Sequence, residues 1–228
     1  MTSRFRVACV VLAATSAMAA PSRAATIIDL VRPYTGQWSP IGVPNTSTYG
    51  QSFTVGADTV LTGFSLYLNG NPNNEMLFKG YLYAWDGTKA VGPQLYASSV
   101  QSFSGVSDNS VPAEIAFNTG NLNLTTGQQY IAFLSTAGLQ DGRPPSSYMM
   151  PYSAELRSEQ YDGGGFQYFN TGDDFSLLTS TRWDTSGSNF GDVWFKARLI
   201  AQAVPAPGSL LLLTGLTAVV GLARRRAR

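Results

Sequence analysis

Short runs of alternating apolar and polar residues, separated by turn residues, fill the middle of the chain. Tyr49, Gln51, Phe53 and Val55 alternate in one run, and Val60, Thr62, Phe64, Leu66 and Leu68 form the inward-facing set of the next. Side chains at every second position share one face of a β-strand, so this period of two predicts strands. No stretch longer than about ten residues has a helical period, which predicts an all-β body.

One run is apolar at both sets of alternating positions. Its two sets are Met76, Phe78, Leu82 and Ala84, and Leu77, Tyr81, Tyr83 and Trp85. A strand with two apolar faces is buried on both sides, so this run is predicted to lie inside a sheet. The dipeptide Asp86-Gly87 directly after it predicts a turn.

Further runs complete a set of about ten predicted strands, a number typical of sandwiches and jelly rolls. They are residues 26–31, 94–100, 113–118, 128–135, 147–152, 165–170 and 193–200. The spacing favours a single antiparallel β-sandwich or jelly-roll domain over residues 25–203.

The N-terminus has the charged, apolar and small-residue order of a secretory signal peptide. Arg4 and Arg6 precede an apolar run over residues 7–14, and small residues follow. Cleavage after Ala19 and cleavage after Ala24 both fit the small-residue rule. We favour Ala24, which gives a signal peptide over residues 1–24 and an exported protein.

The C-terminal segment, residues 204–228, predicts a membrane helix with a basic end. Residues 208–223 carry no charge, and the tail 224–228 contains Arg224, Arg225 and Arg226. This apolar stretch is shorter than the roughly 20 residues that span a bilayer core. The arginines are expected to stay cytoplasmic, which places the body on the outer side of the membrane.

The same segment resembles the PEP-CTERM sorting signal of exported bacterial proteins. Pro205 and Pro207 match the prolines of the family motif, Gly208 continues it, and Ala206 stands where the family has glutamate. The resemblance implies that an integral-membrane exosortase processes the tail and that the contact with the membrane is transient. The protein is then released to the cell envelope, the cell surface or the extracellular space.

Charge and composition remove several classes of function. Seven of the 15 basic residues lie in the two ends, which leaves eight in the body against all 14 acidic residues, a net charge of −6. Such a body is a poor match for the phosphates of nucleic acids. The chain has no histidine, and Cys9 is its only cysteine. Histidine-based triads and zinc sites are therefore excluded, and we expect no enzyme activity.

Two stretches carry candidate binding chemistry. Aromatic and acidic residues between 161 and 183 suggest a carbohydrate platform built from Tyr161, Tyr168, Asp173 and Trp183. Aromatic rings can stack on sugars while carboxylates bond their hydroxyls. The oxygen-rich stretch 69–75 could hold a structural calcium ion, although no cofactor is otherwise expected.

A carboxylate-based glycoside hydrolase is the third class of function that the sequence leaves open. Such enzymes need two carboxyl groups on either side of the scissile bond. Asp173 and Asp174 are adjacent and would point to opposite faces of a strand, and Glu155 and Glu159 would share a face only on a helix. The sequence therefore favours a structural or interaction protein, with a carbohydrate-binding module and, last, a glycosidase as alternatives. At the cell surface, extracellular polysaccharide is a further expected partner of the protein.

Overall fold

β-Strands make up most of the described part of the chain. The structure is a computed structural model that describes residues 24–33, 36–42, 46–70, 75–104, 111–139, 148–153, 161–170, 172–185 and 192–203. Its strands are β1 (Thr26–Asp29), β2 (Gly36–Ile41), β3 (Thr48–Thr54), β4 (Val60–Leu68), β5 (Met76–Trp85), β6 (Ala90–Ala97), β7 (Gln101–Phe103), β8 (Ala113–Asn123), β9 (Gln129–Ser135), β10 (Tyr148–Ser153), β11 (Phe166–Phe169), β12 (Asp184–Thr185), β13 (Asp192–Val193) and β14 (Phe195–Ile200). A short 3-10 helix covers Phe175–Thr179, and no α-helix occurs in the described ranges. The predicted all-β fold is confirmed.

The strands form three sheets, and the paired strands run antiparallel. One sheet has four strands in the order β1-β14-β4-β8, and a small one has the order β13-β10-β2. The largest has seven strands, in the order β12-β11-β3-β9-β5-β6 with β7 also paired to β5. Many neighbours in a sheet are far apart in sequence, so the fold depends on long-range pairing.

A single cluster of buried side chains draws on both larger sheets. The four-stranded sheet contributes Phe64 and Phe195, and the seven-stranded sheet contributes Phe53 and Leu134. Phe53 and Phe195 have ring centroids 5.6 Å apart, so the two sheets are in direct contact. Burial of these apolar side chains supplies the main driving force for folding.

Strand β5 is buried on both faces, as its sequence predicts. Phe78 and Leu82 belong to the cluster shared with the four-stranded sheet. Tyr81 and Trp85 belong to a second cluster on the opposite face, which the 3-10 helix and its neighbours cover. Strand β5 lies between β9 and β6, so the prediction of an internal strand is confirmed.

The predicted inward-facing set of β4 is wrong at Thr62, whereas Val60, Phe64, Leu66 and Leu68 are buried. The register of β4 against β8 shifts between Leu61 and Gly63, which marks a β-bulge. Leu61 is fully buried in the shared cluster, whereas Thr62 is half-buried and donates its hydroxyl to the carbonyl of Arg198. An extra residue in a strand locally disrupts the pairing, so simple alternation fails at Thr62.

The compact unit that contains the strands spans Ala24–Gln202. Residues 1–23 of the predicted signal peptide and the whole predicted sorting segment, 204–228, lie outside the described residues. The expected cleavage, domain boundaries and C-terminal helix therefore stay predictions. Within the described ranges, no helix has the length and apolar character needed to cross a membrane.

Candidate functional site

The residues of the predicted carbohydrate platform do not share one surface. On β11, Phe166 and Tyr168 face the cluster shared by the two large sheets, and Phe169 faces the opposite side. Trp183 stacks on Phe169 with centroids 5.7 Å apart, so it lies on the opposite face from Tyr168. The alternation of side chains along β11 separates two of the four predicted residues.

Trp183 is a core residue. Its side chain is 1% exposed, and its indole N–H donates to the carbonyl of Leu178 at 2.7 Å. Its ring also makes edge contacts with Phe133 and Trp85. Because no face of this ring is open to solvent, Trp183 offers no surface on which a sugar could stack, and this part of the prediction is wrong.

Tyr161 and the glycines after it attach one loop to β3. The Tyr161 hydroxyl accepts a hydrogen bond from the backbone N–H of Thr54 at 3.4 Å. A methyl group on Gly164 would collide with the backbone carbonyl of Ser52, so only glycine allows the two backbones to approach this closely. The half-buried Tyr161 is therefore a packing residue of this attachment.

Asp173 and its neighbour Asp174 each accept backbone hydrogen bonds. The exposed Asp173 carboxylate accepts from the N–H of Gly138. Asp174 caps the 3-10 helix by accepting from the N–H of Ser176 at 2.9 Å. Both carboxylates fix loops, as short acidic side chains commonly do at turns and helix starts.

The carboxylate of Asp192 is the centre of a buried polar cluster between strands. Its Oδ1 accepts from Nε2 of Gln51 at 2.6 Å, and its Oδ2 accepts from the N–H of Tyr161 at 3.0 Å. The Gln51 carbonyl oxygen in turn accepts from the N–H of Val193 at 3.3 Å. Burial raises the pKa of Asp192, and these hydrogen bonds oppose the rise. The cluster connects β3, β13 and the loop at Tyr161.

An open groove lies on the face of the four-stranded sheet that points away from the shared hydrophobic cluster. Strand β4 provides Gly63 and Ser65 at its middle, and β14 provides Lys196 and Arg198 beside them. The groove has a volume of about 460 Å³, within the roughly 300–1,000 Å³ usual for small-molecule sites. We call this feature the outer groove.

The register of the sheet fixes which side chains meet in the outer groove. Arg198 lies opposite Gly63 on one side and Ile27 of β1 on the other, and Gly63 lies opposite Asn118 of β8. In the neighbouring row Lys196 lies between Ser65 and Asp29. Side chains directly opposite each other on one face are in contact range.

Lys196, a residue of the groove lining, contacts a carboxylate and an aromatic ring that lie outside the lining. Lys196 Nζ lies 3.7 Å from a carboxylate oxygen of Asp29 and 5.9 Å from the centroid of the Tyr67 ring. A hydrogen bond to Tyr67, together with the charges of Asp29 and Glu114, raises the pKa of Lys196. Tyr67 packs edge-on against Trp194 at 5.7 Å, and burial raises the pKa of its hydroxyl. These contacts hold the Lys196 ammonium beside Asp29 and favour its charged form.

Arg198 is the cation of the groove that lacks such a partner. Its side chain is exposed, and within the described ranges its guanidinium makes no ion pair and no hydrogen bond to another side chain. Ile27 beside it is 59% exposed. This corner of the groove therefore presents a guanidinium and an apolar side chain to solvent.

Sequence reasoning missed the outer groove because its residues come from four strands. The signal that could have indicated one side of it is the last strand, where Trp194, Lys196 and Arg198 alternate with apolar residues. Among the described residues, no three acidic, cysteine or histidine side chains are grouped as metal ligands. The central part of the predicted calcium loop, residues 71–74, lies outside the described residues.

No family model matches the chain, and no curated protein sequence is significantly similar to it.

Proposed function

We propose that this chain is an exported β-sandwich protein that acts by binding at the cell surface or in the extracellular matrix. The sandwich is supported by the cluster of buried side chains that both larger sheets share. Two sheets that bury one face each against the other are the usual arrangement of antiparallel domains of this size. The outer groove is then the open face of one sheet, free to contact a ligand.

The observation that carries a binding role is that four carboxylates of the described residues are engaged in structural contacts. Asp192 accepts two hydrogen bonds in the interior, Asp86 accepts from the backbone of its turn, and Asp173 and Asp174 hold loops. A glycosidase needs two carboxyl groups that face each other across an open gap. Among the residues that line the outer groove Glu114 is the one carboxylate, and the lining Lys196 is paired with Asp29 beside it, which favours binding over hydrolysis.

The proposed location of the protein is inferred from the two ends of the chain. The arginine-rich tail after residues 208–223 and the prolines at 205 and 207 support export followed by processing by an exosortase-like enzyme. An apolar segment shorter than a bilayer span, with a basic end, suits a transient rather than a permanent contact with the membrane. The proposed destination is the cell envelope, the cell surface or the extracellular space.

The cellular location and the mass of a tagged chain test this proposed location. Deletion of residues 204–228 is expected to change the cellular fraction in which the body is found. Pro205→Ala combined with Pro207→Ala is expected to leave an unprocessed form of higher mass, whereas Gln202→Ala, just before the motif, serves as the control. If the location and the mass are unchanged beyond the loss of the tail itself, the sorting proposal is refuted.

A carbohydrate-binding role is the second candidate, and the outer groove favours it over the region between Tyr161 and Trp183. The groove presents amide, hydroxyl and charged side chains on one open face, which suits a ligand rich in hydroxyl groups. A glycoside hydrolase ranks last. Incubation of the full chain with polysaccharides should release no new reducing ends, and their release would refute the binding role.

A further inference from the structure

We propose that the outer groove binds an acidic glycan, with a sugar carboxylate held by the guanidinium of Arg198. The inference rests on the proposed binding function and names the class of ligand for it. Its basis is the row Ile27, Arg198, Gly63 and Asn118, which crosses four neighbouring strands. The row combines a cation, an apolar side chain, an empty position and an amide.

Gly63 keeps the middle of the row open. A methyl group on Gly63 would lie 2.7 Å from the backbone carbonyl oxygen of Phe117, so the packing of the backbone excludes a side chain there. Arg198 and Asn118 flank this empty position from two adjacent strands, which puts their backbones roughly 10 Å apart at the usual strand spacing. The gap accommodates a sugar ring lying flat on the sheet.

The charge of Arg198 favours an anionic ligand in this row, because Glu114, the acidic residue of the groove lining, lies opposite Tyr67 and acts on Lys196 instead. Arg198 is exposed and pairs with no carboxylate in the described part of the chain, whereas the neighbouring Lys196 is already paired with Asp29. A guanidinium binds a carboxylate through two parallel hydrogen bonds, which a planar fork allows and an ammonium does not. An acidic sugar therefore gains a contact that a neutral sugar lacks.

The position of the groove favours a glycan over a peptide. The groove lies on the face of the sheet, where the backbone groups of β4 are already paired with β14 and β8. An extended peptide is usually bound through backbone hydrogen bonds at a free sheet edge. Recognition in the groove has to come from side chains: the Asn118 amide can bond sugar hydroxyls, and Ile27 can pack against the C–H groups of a ring.

Binding of defined sugars by the full chain tests the proposal. Isothermal titration calorimetry would use a trimer of galacturonic acid, its methyl ester and hexaglutamate as probes. The acid trimer is expected to bind about tenfold or more tightly than the ester, because only the acid offers a carboxylate to Arg198. Added salt should weaken binding of the acid more than that of the ester.

Three variants locate the site. Arg198→Gln should weaken binding of the acid trimer about tenfold, whereas Arg182→Gln, at an exposed arginine outside the groove, should change nothing. Asn118→Asp retains the acceptor that the N–H of Gly120 uses but adds a negative charge beside Gly63. This variant should weaken binding of the acid trimer more than binding of the ester.

The outcomes separate this inference from the proposed function. Equal binding of acid and ester, unchanged binding by Arg198→Gln, or no binding of any probe would overturn the acidic-glycan site and leave the proposed binding function standing. Binding of hexaglutamate as tight as that of the acid trimer would identify a carboxylate-rich peptide as the ligand instead. Cleavage of the trimer, followed by chromatography, would overturn the proposed function itself.

Discussion

Replacement of Trp183 by alanine provides a direct test of the second hydrophobic cluster. The indole is 1% exposed and contacts the rings of Phe169, Phe133 and Trp85. Truncation of a buried tryptophan to alanine costs about 3–5 kcal/mol, because it removes apolar contacts and leaves a cavity. For a body of this size, each kcal/mol lowers the Tm by about 2–4 °C, so a drop of roughly 6–20 °C is expected.

A second substitution at the same position separates the ring contacts from the hydrogen bond. Trp183→Phe retains an aromatic ring but leaves the carbonyl of Leu178 without its donor, which costs about 1–3 kcal/mol. Trp194→Ala serves as the comparison, because this half-buried ring lies on the outer face and contacts Tyr67. Its loss should cost about 1–2 kcal/mol.

The assay is urea and thermal unfolding followed by far-UV circular dichroism, with near-UV spectra to report on the aromatic cluster. The expected order of stability loss is Trp183→Ala, then Trp183→Phe, then Trp194→Ala. If Trp183→Ala unfolds at the same urea concentration and temperature as the parent chain, the ring is not packed in the core. The assignment of Trp183 to the second cluster would then be refuted, and Trp183 would again be a candidate for carbohydrate binding.

Three other substitutions test the remaining structural claims. Burial raises the pKa of Asp192, so the free energy of unfolding should fall as pH rises from about 3.8 through the raised folded value; Asp192→Asn should abolish this fall in urea titrations across pH. Gly164→Ala should lower the Tm by several degrees through its collision with Ser52; an unchanged Tm would contradict the close approach. The turn at Asp86 holds its carboxyl at a pKa of about 2, so the stability that it contributes should be lost between about pH 3.8 and 2. Asp86→Ala should remove this acid-sensitive contribution, and identical acid unfolding of both chains would argue against it.

The strands were predictable where one pattern runs without interruption. The two apolar faces of β5 and the turn at Asp86 were readable because alternation and turn chemistry are local properties. Strand β2 (Gly36–Ile41) was not predicted, since its sequence includes glycine, proline and serine and has weak alternation. The bulge at Thr62 was also missed, because it depends on the pairing of β4 with β8.

Prediction from local patterns was less successful for the candidate sites than for the strands. The residues between Tyr161 and Trp183 are neighbours in sequence, which made them look like one site. Alternation along β11 sends Tyr168 and Phe169 to opposite faces, and the covering loop carries Trp183 to the side of Phe169. Composition identifies residue types suited to sugar binding, but the facing of each strand decides whether they can act together.

The sequence by itself determined the all-β class, the absence of histidine and the charged and apolar pattern of both ends. These features depend on composition and on periods of a few residues, so they can be read without knowing which strands meet. Tertiary structure alone decided that Asp192 reaches Gln51 and that Arg198 lies beside Gly63. These contacts join residues more than a hundred positions apart, and strand order and register set them through the burial of the shared core.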